Sequence, residues 1–356
     1  MEYNPTDVTL RVVAATGCTQ TFDNDSGDGL WTTDVNWSGD VRPGPTDTAC
    51  IPATETVTLN SSGTESIGSL INDGTLMIAL SSTLDLAQAS TSSGTLTLMT
   101  GTLTGTGDLM MTGPFNWMGG TLDGGGTTTA GGFTTISGGT SKSIRNRTLV
   151  LAGGGSWSGG GGIGHGQGAV ISLPAGQLFD IQNDAGFAFV NGAVRGVFNN
   201  AGIVRKTAGT GVMSIDVTFN HTGGSLEINS GTMEFNWDFT SSAPISVGAG
   251  TLFHLNVGTH NLNAGTVLAN AGTTRVSSPA NFNAGASITT PLELAINGAA
   301  TFATGNPVVL PSFNHTAGTL FGPDDVEVTG AYDWSGGIQT GGGTTTASGG
   351  LTLSGA

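Results

Sequence analysis

The sequence predicts an all-β protein, a right-handed parallel β-helix with an irregular N-terminal cap. Three observations support this prediction: internal repetition, short alternating apolar segments, and the near absence of helix-forming stretches. Of the 356 residues, 61 are glycine and only 10% are charged, whereas an ordinary domain has about 25% charged residues. Hydrophobic residues still make up 37% and alternate with small polar ones, which disordered chains lack, so a packed core is expected.

The clearest repetition links two distant segments. Residues 113–139 read GPFNWMGGTLDGGGTTTAGGFTTISGG and residues 330–356 read GAYDWSGGIQTGGGTTTASGGLTLSGA, an ungapped offset of 330 − 113 = 217 residues. A shorter echo, FNHTGGSL at 219–226, returns as FNHTAGTL at 313–320, which is 94 residues later. Self-similarity at several spacings is typical of stacked repeat proteins. We therefore expect the repeated aromatic elements to be structural units.

Residues 1–53 form the predicted cap. They contain both cysteines, Cys18 and Cys50, together with two of the six tryptophans and four of the twelve prolines. Because the cysteines lie in the one segment unlike the rest, a single disulfide between them is predicted, with two buried thiols as the alternative. A disulfide implies an oxidising compartment outside the cytoplasm.

Residues 54–356 form the predicted solenoid. Gly-Thr-apolar triplets such as 74–76 and 250–252 mark successive strands, with threonine outward and the apolar residue inward. At roughly 20 residues a coil, the chain would make about 15 coils. The last repeat stops without a polar cap, so Leu351 and Leu353 are predicted to contact further repeats or a second copy, head to tail.

Charge and hydropathy argue against two classes of partner, nucleic acids and the membrane interior. The formal net charge of −16 argues against nucleic acid, because phosphate binding needs a basic footprint. No continuous apolar run approaches the roughly 18 residues of a membrane span, so no membrane insertion is expected.

One acidic cluster suggests a cofactor. Asp23, Asp25 and Asp28 lie in DNDSGDG, and alternating carboxylates with glycine can wrap a calcium ion. The EF-hand spacing is not matched, since glycine and aspartate are exchanged at its fifth and sixth positions. The alternative is an acidic turn held by its own side-chain hydrogen bonds. No cofactor other than calcium is predicted.

Six of the nine basic residues form a second candidate site: Lys142, Arg145, Arg147, Arg195, Arg205 and Lys206. Residues a few coils apart can line one face of a solenoid, where such cations would bind a polysaccharide or supply the base of a lyase. The alternative is that they are scattered charges balancing nearby carboxylates.

Other catalytic patterns are weak, and no catalytic residue is predicted. Asp324 and Asp325 are adjacent and would point to opposite faces of a strand, unlike the paired carboxylates of a glycosidase. His221 and His315 occupy matching repeat positions, and His254 and His260 lie six residues apart without a third ligand. No zinc site is predicted from these histidines.

A set of short motifs is distributed along the chain: GDGLW at 27–31, NW at 36–37, Pro43, Asp47, IP at 51–52, FDIQND at 179–184, FNNAG at 198–202 followed by RK at 205–206, and WSGG at 157–160 and 334–337. Together they resemble the β-strand-repeat, adhesin-like modules of very large bacterial cell-surface proteins. The resemblance implies a surface location and brings no shared catalytic residues.

The function predicted from the sequence is a non-enzymatic structural or adhesive segment that is extracellular or on the cell surface. Two alternatives stay open: a carbohydrate-active β-helix, either a polysaccharide lyase or a glycoside hydrolase, and a self-assembling fibre subunit. The expected partners are further repeats, other copies of the chain, or a surface polysaccharide.

Overall fold

A computed structural model describes residues 17–355. This part of the chain contains 46 β-strands, numbered β1–β46 in chain order, and one short 3-10 helix at Asp34–Asn36. Every ladder between these strands is parallel, and apart from β1, which pairs with β2, each ladder joins strands three places apart, so the chain winds into a β-solenoid with three faces. The predicted all-β class and parallel β-helix are confirmed.

The first face is a 16-stranded sheet. Its strands are β1 Gln20–Thr21, β2 Thr48–Ile51, β5 Ser69–Asn72, β8 Ser90–Ser92, β11 Leu109–Met111, β14 Thr127–Ala130, β17 Thr148–Val150, β20 Val170–Leu173, β23 Val197–Asn200, β26 Thr218–His221, β29 Phe239–Ser241, β32 His260–Leu262, β35 Pro279–Phe282, β38 Ala299–Phe302, β41 Thr319–Gly322 and β44 Ile338–Gly341.

The second face is a 12-stranded sheet continued by a 3-stranded one. Its strands are β3 Thr56–Leu59, β6 Thr75–Ile78, β9 Thr95–Leu98, β12 Phe115–Trp117, β15 Thr134–Ile136, β18 Gly155–Trp157, β21 Leu178–Ile181, β24 Ile203–Lys206, β27 Ser225–Ile228, β30 Ile245–Val247, β33 Val267–Ala269, β36 Ser287–Ile288, β39 Val308–Leu310, β42 Val326–Val328 and β45 Thr345–Ala347.

The third face is a 15-stranded sheet. Its strands are β4 Thr64–Ile67, β7 Thr83–Leu86, β10 Thr102–Thr104, β13 Gly120–Leu122, β16 Lys142–Arg145, β19 Ile163–Gly166, β22 Phe187–Asn191, β25 Val212–Ile215, β28 Thr232–Phe235, β31 Leu252–Leu255, β34 Thr273–Val276, β37 Leu292–Leu294, β40 Phe313–His315, β43 Tyr332–Trp334 and β46 Leu351–Leu353.

The core is one continuous buried cluster that runs from Phe22 in the cap to Tyr332. Side chains alternate along each strand, so in β6 Leu76 and Ile78 are fully buried while Thr75 and Met77 are partly exposed. Some identical side chains stack from coil to coil, as Phe198, Phe219 and Phe239 do on the first face. Hydrophobic burial along the whole axis therefore holds the coils together without a central globular core.

The sequence echoes are not repeats of whole coils. Trp117 lies in β12 on the second face, and Trp334 lies in β43 on the third face, 43 − 12 = 31 strands later. With three strands per coil, a distance of 31 strands is ten full coils plus one more face. The 217 residues divided by 31 strands give an average of seven residues for each strand and its turn. The repeating unit is therefore a single strand with its turn, which fits any of the three faces.

The cap is closed by aromatic packing and a disulfide. Trp37 contacts both Phe22 and Trp31 edge to face, and its indole N–H donates to the carbonyl of Trp31 at 2.8 Å. Cys18 and Cys50 form the disulfide that the sequence predicted. Cys50 lies in β2, so the bridge ties the cap directly to the first face. The part of the predicted cap before residue 17 lies outside the described residues.

Candidate functional site

Arg147, one of the six predicted cations, is buried in a corner of the solenoid. Its guanidinium donates to Thr128 Oγ1 at 2.7 Å and to the carbonyl oxygens of Gly105, Gly107 and Asp123, each at 3.1 Å. Burial lowers the pKa of Arg147 to about 10, against the attraction of nearby carboxylates. Arg147 joins backbone from successive coils and is not available to a ligand.

Lys206 also points inward. Its Nζ donates to Asp184 Oδ1, Ala208 O and Gly209 O, all at 2.7 Å, and its side chain is fully buried. Lys142 is likewise buried, with Nζ 3.0 Å from the carbonyl oxygen of Thr140, and burial lowers its pKa. Both ammonium groups therefore satisfy turn carbonyls within the protein.

The other three cations are partly exposed, and each forms an ion pair: Arg145 with Asp123 at 3.0 Å, Arg205 with Glu227 at 2.7 Å, and Arg195 with Asp216. Arg205 lies on the second face and Arg145 on the third. The predicted basic stripe is therefore wrong as a surface feature, because three members are buried and the exposed ones lie on different faces.

Arg145 borders a groove of about 530 Å³ on the third face. Its floor is a ladder of small residues in register, Thr121, Ser143, Gly164 and Ala188. Gly164 keeps the floor low, since a Cβ there would lie 2.7 Å from a methyl group of Val190. Ser143 Oγ and Arg145 Nε are buried without a hydrogen-bond partner. The groove is also lined by the exposed hydroxyl residues Thr140 and Ser141, which a polyhydroxylated ligand could pair.

The acidic turn in the cap is held by internal hydrogen bonds. Asp28 accepts from the amide of Leu30 at 2.8 Å, from Thr33 Oγ1 at 2.8 Å and from Asn36 Nδ2 at 2.6 Å. These bonds, led by that from Leu30, lower the pKa of Asp28 to about 2. Asp23 and Asp25 are exposed beside it. Between residues 17 and 355 no three His, Cys, Asp or Glu side chains are grouped to hold a metal ion, and calcium binding stays a prediction.

Leu351 and Leu353 lie in β46 at the end of the third face. Their exposed fractions are 48% and 68%, and β46 pairs on one side with β43. The predicted contacts of these two leucines with further repeats or with a second copy stay predictions. Over the described range, no helix is long and apolar enough to span a membrane.

A polar chain that the sequence reasoning missed crosses three coils of the third face. His254 in β31 is 3.0 Å from Glu234 Oε2 through Nδ1 and 2.9 Å from Ser277 Oγ through Nε2. Glu234 belongs to β28, and Ser277 directly follows β34. The separations of 20 and 23 residues are each about one coil, which is the signal that could have linked these residues.

The carboxylate fixes the protonation pattern of this chain. An ionised carboxylate can only accept, so the proton of His254 sits on Nδ1 and Nε2 accepts the hydrogen bond from the Ser277 hydroxyl. Burial lowers the pKa of His254, with Glu234 opposing and Arg275 adding to the shift. The imidazole is therefore neutral near pH 7 and can receive a proton.

Arg275 and Glu293 complete the ladder. Arg275 pairs in register with His254 on one side and Glu293 on the other, and its Nη2 lies 2.9 Å from Glu293 Oε2. The Arg275 side chain is 36% exposed. A partly exposed cation thus lies near the end of β34, two residues before Ser277.

No protein-family model, no curated protein and no solved structure matches this chain. The interpretation of the groove and of the Glu234–His254–Ser277 chain therefore depends on their own geometry.

Proposed function

We propose that this chain is an extracellular rod with a structural or adhesive role, and that the groove beside Arg145 binds a surface polysaccharide. The single observation that carries the structural part is the unbroken buried cluster that extends from the cap through successive coils. Fifteen strands on the third face, at about 4.8 Å per coil, correspond to a rod of roughly 70 Å. A rod of this kind would hold the molecules or segments attached at its two ends at a fixed distance from each other.

The extracellular location is supported by the disulfide. Disulfides persist in oxidising compartments, and Cys18–Cys50 uses the two cysteines of the whole sequence. The formal net charge of −16 favours solubility and disfavours adsorption to nucleic acid.

The adhesive part is supported by the groove. Hydroxyl groups of Thr121 and Ser141, with the partly exposed guanidinium of Arg145, offer donors and acceptors along the groove.

A groove-filling variant tests polysaccharide binding. Ala188→Trp places a large ring on the groove floor, and Thr135→Trp places the same ring on the outer side of the second face as a control. Binding to immobilised neutral and uronate polysaccharides should fall at least tenfold for Ala188→Trp and stay unchanged for Thr135→Trp. Equal binding by both variants would overturn the groove as the adhesive site.

A turnover assay separates binding from cleavage. Incubation with pectin, alginate and glycosaminoglycans should release no reducing ends and no unsaturated products, because the residues that line the groove beside Arg145 include no Asp or Glu to act as an acid–base pair. Depolymerisation abolished by one Asp, Arg or Lys substitution would favour the carbohydrate-active alternative over the structural role.

A further inference from the structure

Three side chains of the third face are hydrogen-bonded in the order acid, imidazole, hydroxyl. We propose that Ser277 is a nucleophile for the hydrolysis of carboxylic esters, with His254 as its general base and Glu234 as a positioning residue. The arrangement has the features of an activated nucleophile: a base within hydrogen-bond reach at 2.9 Å, itself oriented by a third group at 3.0 Å. This activity goes beyond the structural and adhesive role and departs from the non-enzymatic prediction.

The first half of the reaction forms an acyl-enzyme. Ser277 Oγ forms a bond to the ester carbonyl carbon while its proton moves to His254 Nε2. The tetrahedral intermediate then collapses, the carbon–oxygen bond to the alcohol breaks, and the leaving oxygen takes the proton from Nε2. The products of this half are the free alcohol and an ester of Ser277.

The second half restores the enzyme. A water molecule loses a proton to His254 Nε2 and its oxygen bonds to the acyl carbon. The bond to Ser277 Oγ breaks, and the serine oxygen regains the proton from Nε2. The net change is ester plus water to carboxylic acid plus alcohol, without a metal or a redox partner.

The oxyanion takes its hydrogen bond from a side chain. The amide N–H of Ser277 donates to the carbonyl of Leu255 at 2.9 Å, so it is already used in the coil-to-coil ladder. Arg275 lies two residues earlier on the same side of the chain, and its side chain, paired with Glu293 through Nη2, is 36% exposed. A guanidinium there can stabilise the negative charge that develops on the carbonyl oxygen.

The position of the site indicates the substrate class. Ser277 is half-buried on the outer side of the wall, where an ester carried on an extended polymer can reach it. The polysaccharide groove in β16 lies on the same face, five coils before β31, or roughly 24 Å along the rod. We therefore infer short acyl esters carried on a polysaccharide; this substrate class rests on the proposed function, whereas the chemistry does not.

The next residue supplies an internal control. Ser278 Oγ lies 2.8 Å from His260 Nε2, but this pair points into the core, His260 Nδ1 has no partner, and His260 is fully buried. The same serine–histidine contact is thus present without an orienting acid and without access to substrate.

The experiment uses the whole chain with 4-nitrophenyl acetate and a fluorophosphonate label. Wild type should hydrolyse the ester and carry the label on Ser277, located by peptide mass spectrometry. Ser277→Ala and His254→Gln should lower the rate at least 100-fold and abolish labelling, while Ser278→Ala keeps both. Absence of labelling, label at another residue, or equal loss for Ser277→Ala and Ser278→Ala would each overturn the proposal.

Two further measurements separate chemistry from folding. Glu234→Gln should lower the rate and move the acid limb of its pH profile to lower pH. Burial and Arg275 lower the pKa of His254, whereas the carboxylates of Glu234 and Glu293 raise it, so removing the Glu234 charge lowers that pKa further. An unchanged limb would show a merely structural role for Glu234. Ser277→Cys adds one thiol to a chain whose two cysteines are bridged, and its alkylation by iodoacetamide should slow in the His254→Gln background. Equal alkylation rates would overturn the role of His254 as base.

Discussion

His254 and His260 lie in consecutive strands of one coil and contact adjacent serines, but they face opposite sides of the wall. His254 points outward to Ser277 and is oriented by Glu234, whereas His260 points into the core, where Ser278 is its partner. Burial is the leading cause of a lowered pKa at both, and for His260 it reaches about 4. Histidine is thus a candidate base at position 254, on the outer side of the wall, and a neutral core group at position 260.

We expect acid to destabilise the rod through its buried imidazoles. The pKa of His260 falls from 6.5 to about 4 on folding, so the unfolded chain binds more protons between these values. Stability is therefore fully present above pH 6.5 and declines toward pH 4, by on the order of 3 kcal/mol from this residue. Urea unfolding between pH 7.5 and 4 measures the loss.

His260→Gln should reduce that pH dependence, with the remainder due to other buried histidines such as His221, whose pKa burial also lowers. Ser278→Ala, which keeps the imidazole, should retain it. The same slope in His260→Gln and wild type would show that other groups cause the acid sensitivity.

Arg147→Lys should destabilise the protein by about 3 kcal/mol. The guanidinium joins Thr128 and three carbonyl oxygens, and an ammonium group cannot reproduce that planar set of donors. Arg145→Lys is the matched control, since its partly exposed pair with Asp123 should change stability by less than about 1 kcal/mol. Chemical denaturation compares the two, and equal losses would contradict the role of Arg147 as a link between coils.

Reduction of Cys18–Cys50 should loosen the cap before the rod. A closed loop with a separation of 32 residues is worth about 4 kcal/mol in the chain-entropy account. Amide exchange should accelerate in β1 and β2 and stay slow in central strands such as β26. Mass spectrometry without reductant should show the bridge, and uniform acceleration along the chain would refute a local role.

The isolated 356-residue chain should associate through β46. Leu351 and Leu353 are exposed on a strand that has one free edge, and such edges pair with other chains. Leu353→Lys should keep the chain monomeric at concentrations where wild type associates, as seen by analytical ultracentrifugation. Val257→Lys removes another exposed apolar group from an earlier coil and should leave the association unchanged. Association that survives Leu353→Lys would place the contact elsewhere.

Much of the fold could be predicted from the sequence because the alternation of inward and outward side chains is a local property of each strand. In β6, Leu76 and Ile78 are the apolar residues of the alternating pattern and both point inward. The disulfide could be predicted because each of the two cysteines has the other as its one possible partner. The same parity places Lys206 inward, since it lies two residues after the buried Val204. That signal is present in the sequence, but charged residues are mostly exposed in proteins, and the predicted basic stripe, which depends on exposure, is wrong for this reason.

Only the tertiary structure decided which distant residues meet. Glu234, His254 and Ser277 are separated by 20 and 23 residues, and the coils differ in length because their turns differ. The face that a strand occupies depends on the sum of all preceding turns, as the two copies of the Trp117 element show by lying on different faces. Local sequence therefore determined strands, turns and inward parity, whereas the stacking of coils determined register, and register alone brings the acid, the imidazole and the hydroxyl together.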